Sequence, residues 1–170
     1  MSYFGDESFV FRAINRLDRD TSGIVIIAKD AYTADKLSAL MKAGKYSKKY
    51  YCITHGVPNP ECGIINAPIE RECEGSIKRC VREDGKAAKT EYRVLKELPC
   101  GNALCEITLH TGRTHQIRVH MAYIGYPLYA DFLYGKRIEG EIYKLHAREI
   151  AFPHPITGER VVLISKCDFE

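Results

Sequence analysis

Leu145-His-Ala-Arg-Glu-Ile-Ala-Phe152 and Arg160-Val-Val-Leu-Ile164 are two β-prone runs on either side of Pro153-His-Pro-Ile-Thr-Gly158. Proline and glycine break strands and shape turns, so the stretch reads as a β-hairpin. Upstream, Lys49 to Thr54 is strand-like and ends at Gly56-Val-Pro58, and aromatic and β-branched residues predict further strands over Thr90–Lys96 and Ala103–His110. Ile24-Val-Ile-Ile-Ala28 is short and β-branched, as a buried strand would be. Two helices are expected. Asp30 caps the first, whose apolar positions Ala34, Leu37, Leu40 and Met41 share a face and which Gly44 stops. Thr114 caps the second, with Ile117, Met121 and Ile124 on one side and Gly125 at its end. Strands outnumber helices and several are hairpin-linked. The class expected is therefore α+β, a largely antiparallel mixed sheet with flanking helices. No linker, repeat or low-complexity segment divides residues 1–170, so a single domain is expected.

Composition narrows the function classes. The chain has 170 residues, 25 Lys+Arg against 22 Asp+Glu for a net charge of +3, and 45% hydrophobic content. Those values exclude a disordered or collagen-like chain. No apolar run approaches the roughly 20 residues that cross a bilayer, and Met1-Ser-Tyr-Phe-Gly-Asp6 lacks the basic and apolar regions of a signal peptide. A cytosolic protein without a membrane partner is expected, with a monomer as its simplest state. Seven cysteines, an odd number without a C-x-x-C pair, suggest reduced thiols rather than a disulfide framework or a zinc ribbon. The small net charge does not itself indicate a nucleic-acid partner, but Lys42, Lys45, Lys48 and Lys49 crowd together.

Two polar clusters can carry chemistry. Asn15-Arg-Leu-Asp-Arg-Asp-Thr-Ser-Gly23 places carboxylates, guanidinium groups and hydroxyls on a loop just before the Ile24 run. Thr111-Gly-Arg-Thr-His-Gln-Ile-Arg-Val-His120 opens the second helix, where His115 and Arg118 are three apart and share a face. An arginine one turn into a helix can bury its stem and grip a carboxylate with its fork. His110, His115 and His120 are five apart, which does not stack them on one helical face as a zinc site requires. No metal is expected. Reading Asp18-Arg-Asp20 as the paired aspartates of a magnesium-dependent phosphotransferase fails because Asn15 and Arg16 interrupt the apolar approach and no downstream Asp-Asp pair completes the site.

Arg16-Leu-Asp-Arg-Asp-Thr-Ser-Gly23 resembles the RLDxxTSG signature of the RluA-type pseudouridine synthases, with Asp18 at the position of the family's catalytic aspartate. The Thr111–Ala122 cluster, Lys48-Lys-Tyr-Tyr-Cys-Ile-Thr-His-Gly56, Lys86-Ala-Ala-Lys-Thr-Glu-Tyr92 and Leu145-His-Ala147 with Phe152-Pro-His-Pro155 are similar to further motifs of that family, in the same order. The likeness runs from about Arg16 to near the C-terminus. Departures are Asn15 where the family usually has His, Tyr126 where His commonly precedes Pro, and Ala130 where Gly commonly precedes the aspartate. A Lys-Pro-x-Gly strand segment and an RNA-binding S4 domain, found ahead of the signature in many members, are not seen before Arg16, so a shortened catalytic domain is expected.

The resemblance implies an isomerase that converts uridine to pseudouridine in structured RNA, rRNA or tRNA, with neither cofactor nor metal. It implies Asp18 as catalytic carboxylate, Tyr50 stacking on a flipped-out uracil, and Arg118 paired with Asp18. Leu145 would pack against the Tyr50 ring or the base, and Arg16, Arg19, Lys48, Lys49, Arg113 and His115 would hold the RNA. The alternative is an inactive RNA-binding fragment of such an enzyme.

Overall fold

The computed structural model describes residues 10–170; the opening residues read above for a leader lie outside the described residues. The elements in chain order are β1 (Arg12–Ala13), β2 (Ser22–Gly23), β3 (Ile27–Ala28), α1 (Ala31–Lys42), β4 (Ser47–Thr54), β5 (Cys62–Asn66), β6 (Ile69–Arg71), β7 (Arg79–Val81), β8 (Lys89–Glu97), β9 (Ala103–Leu109), α2 (Gln116–Tyr123), β10 (Leu145–Pro153) and β11 (Arg160–Ile164). A seven-stranded sheet runs β11-β10-β4-β9-β8-β5 with antiparallel neighbours, and β2 joins β10 in parallel. β1 with β3, and β6 with β7, form small antiparallel pairs. The α+β class and the closing hairpin, β10 to β11, are as expected from the sequence. Among the described residues no helix is long and apolar enough to cross a membrane.

An antiparallel sheet can cover one face and leave the other wet. Tyr50 and Cys52 of β4, Ile107 of β9 and Leu145 of β10 point to the covered face, where Ile117 and Met121 of α2 pack on them. Farther along that face, Leu37 of α1 packs with Ile14, Tyr46, Ile150 and Phe152. β10 serves both clusters because a bulge between Ala147 and Glu149 shifts its alternation by one residue: Leu145 and Ala147 before it and Ile150 and Phe152 after it are all buried. On the opposite face Glu106 takes ion pairs from Lys49 at 3.5 Å and Arg93 at 2.9 Å. The two helices therefore stand on one face with a gap between them, floored by β4, β9 and β10.

Two local expectations are corrected. Ile24–Ala28 is not a buried strand: Val25 and Ile27 are exposed, while Ile24 and Ile26 turn inward. Its ladder is broken because the Asn15 side chain donates to the Ile24 carbonyl at 3.0 Å and accepts from the Ile26 N–H at 2.8 Å, replacing a strand partner. Asp30 caps α1 as expected, accepting from the Thr33 N–H at 2.7 Å. Thr114, however, does not cap α2, which starts from His115 in a left-handed conformation, φ 56°, without a side-chain cap. Strands β5, β6 and β7 lack a clear alternating apolar pattern and are set by pairing with distant partners.

Candidate active site

The loop between β1 and β2 hangs Asp18 over the gap between the helices. Its turn is closed by the Thr21 N–H donating to the Asp18 carbonyl at 3.0 Å. Below, the Ser22 hydroxyl and His146 Nδ1 are 2.8 Å apart, pinning β2 to β10. Gly23 sits at φ 109°, and a Cβ there would fall 2.4 Å from the Ala147 carbonyl oxygen, so the close approach of β2 to β10 requires glycine.

Asp18, Arg16, Leu17 and Thr21 from this loop line a cavity of about 390 Å³ together with Lys48 and Tyr50 of β4, Leu145 of β10, Ile117 of α2 and Arg113 from the loop before it. Small-molecule sites span roughly 300–1,000 Å³, so the volume suits one compact ring system with its attachments. Tyr50 is almost fully buried. Burial, with a smaller contribution from the Asp18 charge, pushes its phenol up to about 12, so the hydroxyl remains protonated at neutral pH. Burial likewise pulls the Lys48 ammonium below its ordinary value.

Arg118 is placed behind this cavity rather than in its wall. Its guanidinium forks onto Asp131 through two hydrogen bonds of 2.7 Å, with both side chains buried. The pair with Asp18 implied by the resemblance is therefore replaced by a pair with Asp131. Rings of Tyr143 at 4.3 Å, Tyr134 at 4.9 Å and Phe132 at 5.8 Å surround the guanidinium carbon. Desolvation alone would weaken the charge on Arg118, but the Asp131 hydrogen bonds and charge outweigh it and hold the group more firmly protonated. Tyr143 carries the connection forward: its hydroxyl donates to the Arg19 carbonyl and lies 3.5 Å from the Thr21 hydroxyl. The arginine thus supports the Asp18 loop through an aromatic ring.

His115 lies beside that support. The Tyr134 hydroxyl accepts from the Arg79 N–H at 2.9 Å and is 2.7 Å from His115 Nδ1. Burial lowers the His115 value against the opposing pull of Asp18, which favours the neutral imidazole. Gln116 organises the neighbouring turn, accepting from the Arg113 N–H at 2.9 Å and the Thr111 hydroxyl at 2.8 Å while donating to Thr90 at 2.9 Å.

Of the residues singled out in the sequence, Asp18, Tyr50, Leu145, Arg16, Lys48 and Arg113 share the cavity. Lys49 does not: strand alternation sends it to the opposite face, onto Glu106. Arg19 projects into solvent with only a 3.8 Å approach to Asp20. Asp131, Tyr143 and Gln116 received no role from the sequence. The isolated buried-prone acid in Asp131-Phe-Leu-Tyr-Gly135 was the available signal for the first; nothing local marks the other two.

The sequence profile of the family described as RNA pseudouridylate synthase matches residues 2–123. The chain belongs to the RNA pseudouridylate synthase family. It is 41% identical over 152 residues to an uncharacterized RNA pseudouridine synthase, YjbO, of Bacillus subtilis, covering 87% of this chain and 52% of that protein. It is 39% identical over 163 residues to ribosomal large subunit pseudouridine synthase D of Pseudomonas aeruginosa, covering 87% of this chain and 50% of that one. Its fold superposes on human RNA pseudouridylate synthase domain containing 1 with a TM-score of 0.84 at 27% identity, covering 95% of this chain and 71% of the human one. The chain spans about half the length of the curated relatives it matches.

Proposed function

We propose that this chain isomerises uridine to pseudouridine in structured RNA, rRNA or tRNA, with Asp18 as its catalytic carboxylate. Family membership supports the reaction class, and the observation that carries the assignment is the shared cavity of Asp18, Tyr50 and Leu145. The reaction breaks the bond between uracil N1 and ribose C1′ and joins C1′ to C5 of the same base. The C5 proton leaves and N1 gains one, so atoms and charge balance without an added reactant.

A uracil inside a helix cannot reach a cavity of this depth, so the nucleotide turns out of the stack, at a cost of a few kcal/mol. The Tyr50 ring and Leu145 give the extruded base apolar contact on the sheet side. Asp18 brings an anion to the side of the cavity formed by its loop, where it can meet the electron-poor anomeric carbon or accept a proton. Tyr50, protonated at working pH, acts as a stacking surface and proton donor rather than a phenolate base. Arg118 is a positioning residue, acting on the Asp18 loop through Tyr143. Arg16, Lys48 and Arg113 at the rim take RNA phosphates. A cytoplasmic monomer is the simplest state for this activity.

Incubation with uridine-containing rRNA and tRNA transcripts, followed by nucleoside chromatography, tests the reading. Pseudouridine is expected from the wild-type chain and none from Asp18→Asn, with RNA affinity held within about threefold because a rim of cations, not the acid, carries binding. RNA binding by a cooperatively folded wild-type chain without any pseudouridine would overturn it in favour of an inactive RNA-binding fragment.

A further inference from the structure

A second, larger hollow adjoins the Asp18 cavity on its α1 side. It holds about 1100 Å³ and is lined by Ser38, Met41, Lys42 and Lys45 at the end of α1, by Tyr46 and Lys48 leading into β4, by the end of β9 and the Thr111-Gly-Arg113 turn, and by Phe152 and Arg160 of the closing hairpin. Met41, Lys48, Leu109, Gly112 and Arg113 line both hollows, so the two are continuous. The larger one exceeds the 300–1,000 Å³ typical of small-molecule sites and is open, as a track for a polymer would be.

Its charge is one-sided. Lys42, Lys45, Lys48, Arg113 and Arg160 contribute cations, and no aspartate or glutamate lines it. Among the described residues none of these five has a carboxylate partner, whereas cations on the opposite face, Lys49 and Arg93, share Glu106 as theirs. Lys48, at the junction of the two hollows, is half-buried, and among the described residues the polar neighbour of its ammonium is the Met41 sulfur, 4.0 Å away. A partly desolvated cation without a counter-charge favours an anionic ligand. The floor is firm: Tyr46 and Phe152 stack with ring centroids 5.0 Å apart and planes within 3°, both almost fully buried. Such a floor supports a strand but offers no free ring face for a base. Recognition here falls on phosphates.

We infer that this groove is a backbone-binding track for the RNA strand on one side of the reacting uridine, with Lys42, Lys45 and Arg160 as phosphate contacts beyond those that seat the target nucleotide. The inference rests on the proposed RNA reaction and specifies how its substrate is held. Base extrusion at Asp18 requires the strand to be anchored close by, and only this side of the cavity offers a continuous, uncompensated basic channel among the described residues.

The test combines protein and RNA changes. The triple variant Lys42→Gln/Lys45→Gln/Arg160→Gln alters exposed side chains only. Affinity for a transcript containing the target uridine is measured from 50 to 300 mM salt, with turnover followed on the same RNA, and the transcript is trimmed on its 5′ or its 3′ side. The triple variant is expected to weaken binding about 10-fold or more and to lower the log–log salt slope by about 2, near 0.7 for each single-strand phosphate that is no longer neutralised. kcat should stay within about twofold while KM rises. Trimming one flank should cost the wild type the same affinity and cost the triple variant nothing further, since both changes remove the same phosphate–cation pairs. The charge-preserving variant Lys42→Arg/Lys45→Arg/Arg160→Lys should bind as the wild type does. An unchanged slope, or equal costs to variant and wild type whichever flank is trimmed, overturns the track. Wild-type binding with this pattern but no conversion of uridine overturns the isomerase reading and leaves the track standing.

Discussion

Tyr143 links a buried ion pair to the loop that carries Asp18. Its ring faces the Arg118 guanidinium at 4.3 Å and its hydroxyl holds the Arg19 carbonyl. Tyr143→Phe keeps the ring and removes only the tether, so stability should fall by about 0.5–1.5 kcal/mol. Turnover should fall more than KM changes, because the loop loses its position rather than its hold on RNA; unchanged kcat with a raised KM contradicts that role. Arg118→Leu leaves Asp131 buried without its partner and should cost about 3–5 kcal/mol in urea unfolding, whereas a solvated pair would cost under about 1 kcal/mol. The sequence made Arg118 legible as a carboxylate-gripping arginine but not the carboxylate it grips. Asp18 and Asp131 are both plausible acids in one dimension, and only the packing of the aromatic rings around the guanidinium selects between them. Lys48 and Lys49 are adjacent in the chain and equal in charge, and they part only when β4 assigns one to each face.

The connection from β2 to β10 and the start of α2 are the strained pieces of the framework. Gly23 lies against the Ala147 backbone at φ 109°, so Gly23→Ala must push β2 away or distort it. A loss of at least about 2 kcal/mol and lowered turnover are expected, and an unchanged urea midpoint contradicts the geometry. α2 carries His120 and starts from His115, both shifted below the ordinary histidine value chiefly by burial. For such groups the neutral form belongs to the folded state, so their stabilising contribution is present above the unfolded-state value near 6.5 and is lost as pH falls through the lower folded value. Thermal unfolding should therefore drop between pH 7.5 and 5, and the drop should shrink in His115→Gln; an identical drop in that variant contradicts a share for His115. At this scale α1, β4, β8, β9 and the final hairpin were legible because cap, periodicity and turn residues agree. The Ile24–Ala28 segment was misread as one continuous strand because only Ile27–Ala28 pairs with β1, while the Asn15 side chain takes the Ile24 carbonyl and the Ile26 N–H. The α2 start was misread because Gln116, rather than Thr114, holds the turn that leads into it.

For the whole molecule, the arrangement is a sheet with one face charged and wet and the other covered by two helices whose gap becomes the cavity. Antiparallel hairpins bring β4, β9 and β10 together as the floor, and the β10 bulge lets one strand serve both helices. The class was readable from alternating runs and turns, and family membership from motif order. The union of positions 18, 50 and 145 in one cavity depended on long-range register that no local pattern encodes. That union is the central claim, and Asp18 has an internal control two residues away in Asp20, which is held in a left-handed turn, φ 67°, beside Arg19 and does not line the cavity. The most direct measurement is single-turnover release of tritium from RNA labelled at uracil C5, comparing wild type, Asp18→Asn and Asp20→Asn at saturating protein. A loss of about 10³-fold or more is predicted for Asp18→Asn and under about fivefold for Asp20→Asn. Equal losses in the two variants, or a larger one in Asp20→Asn, would contradict the assignment of Asp18.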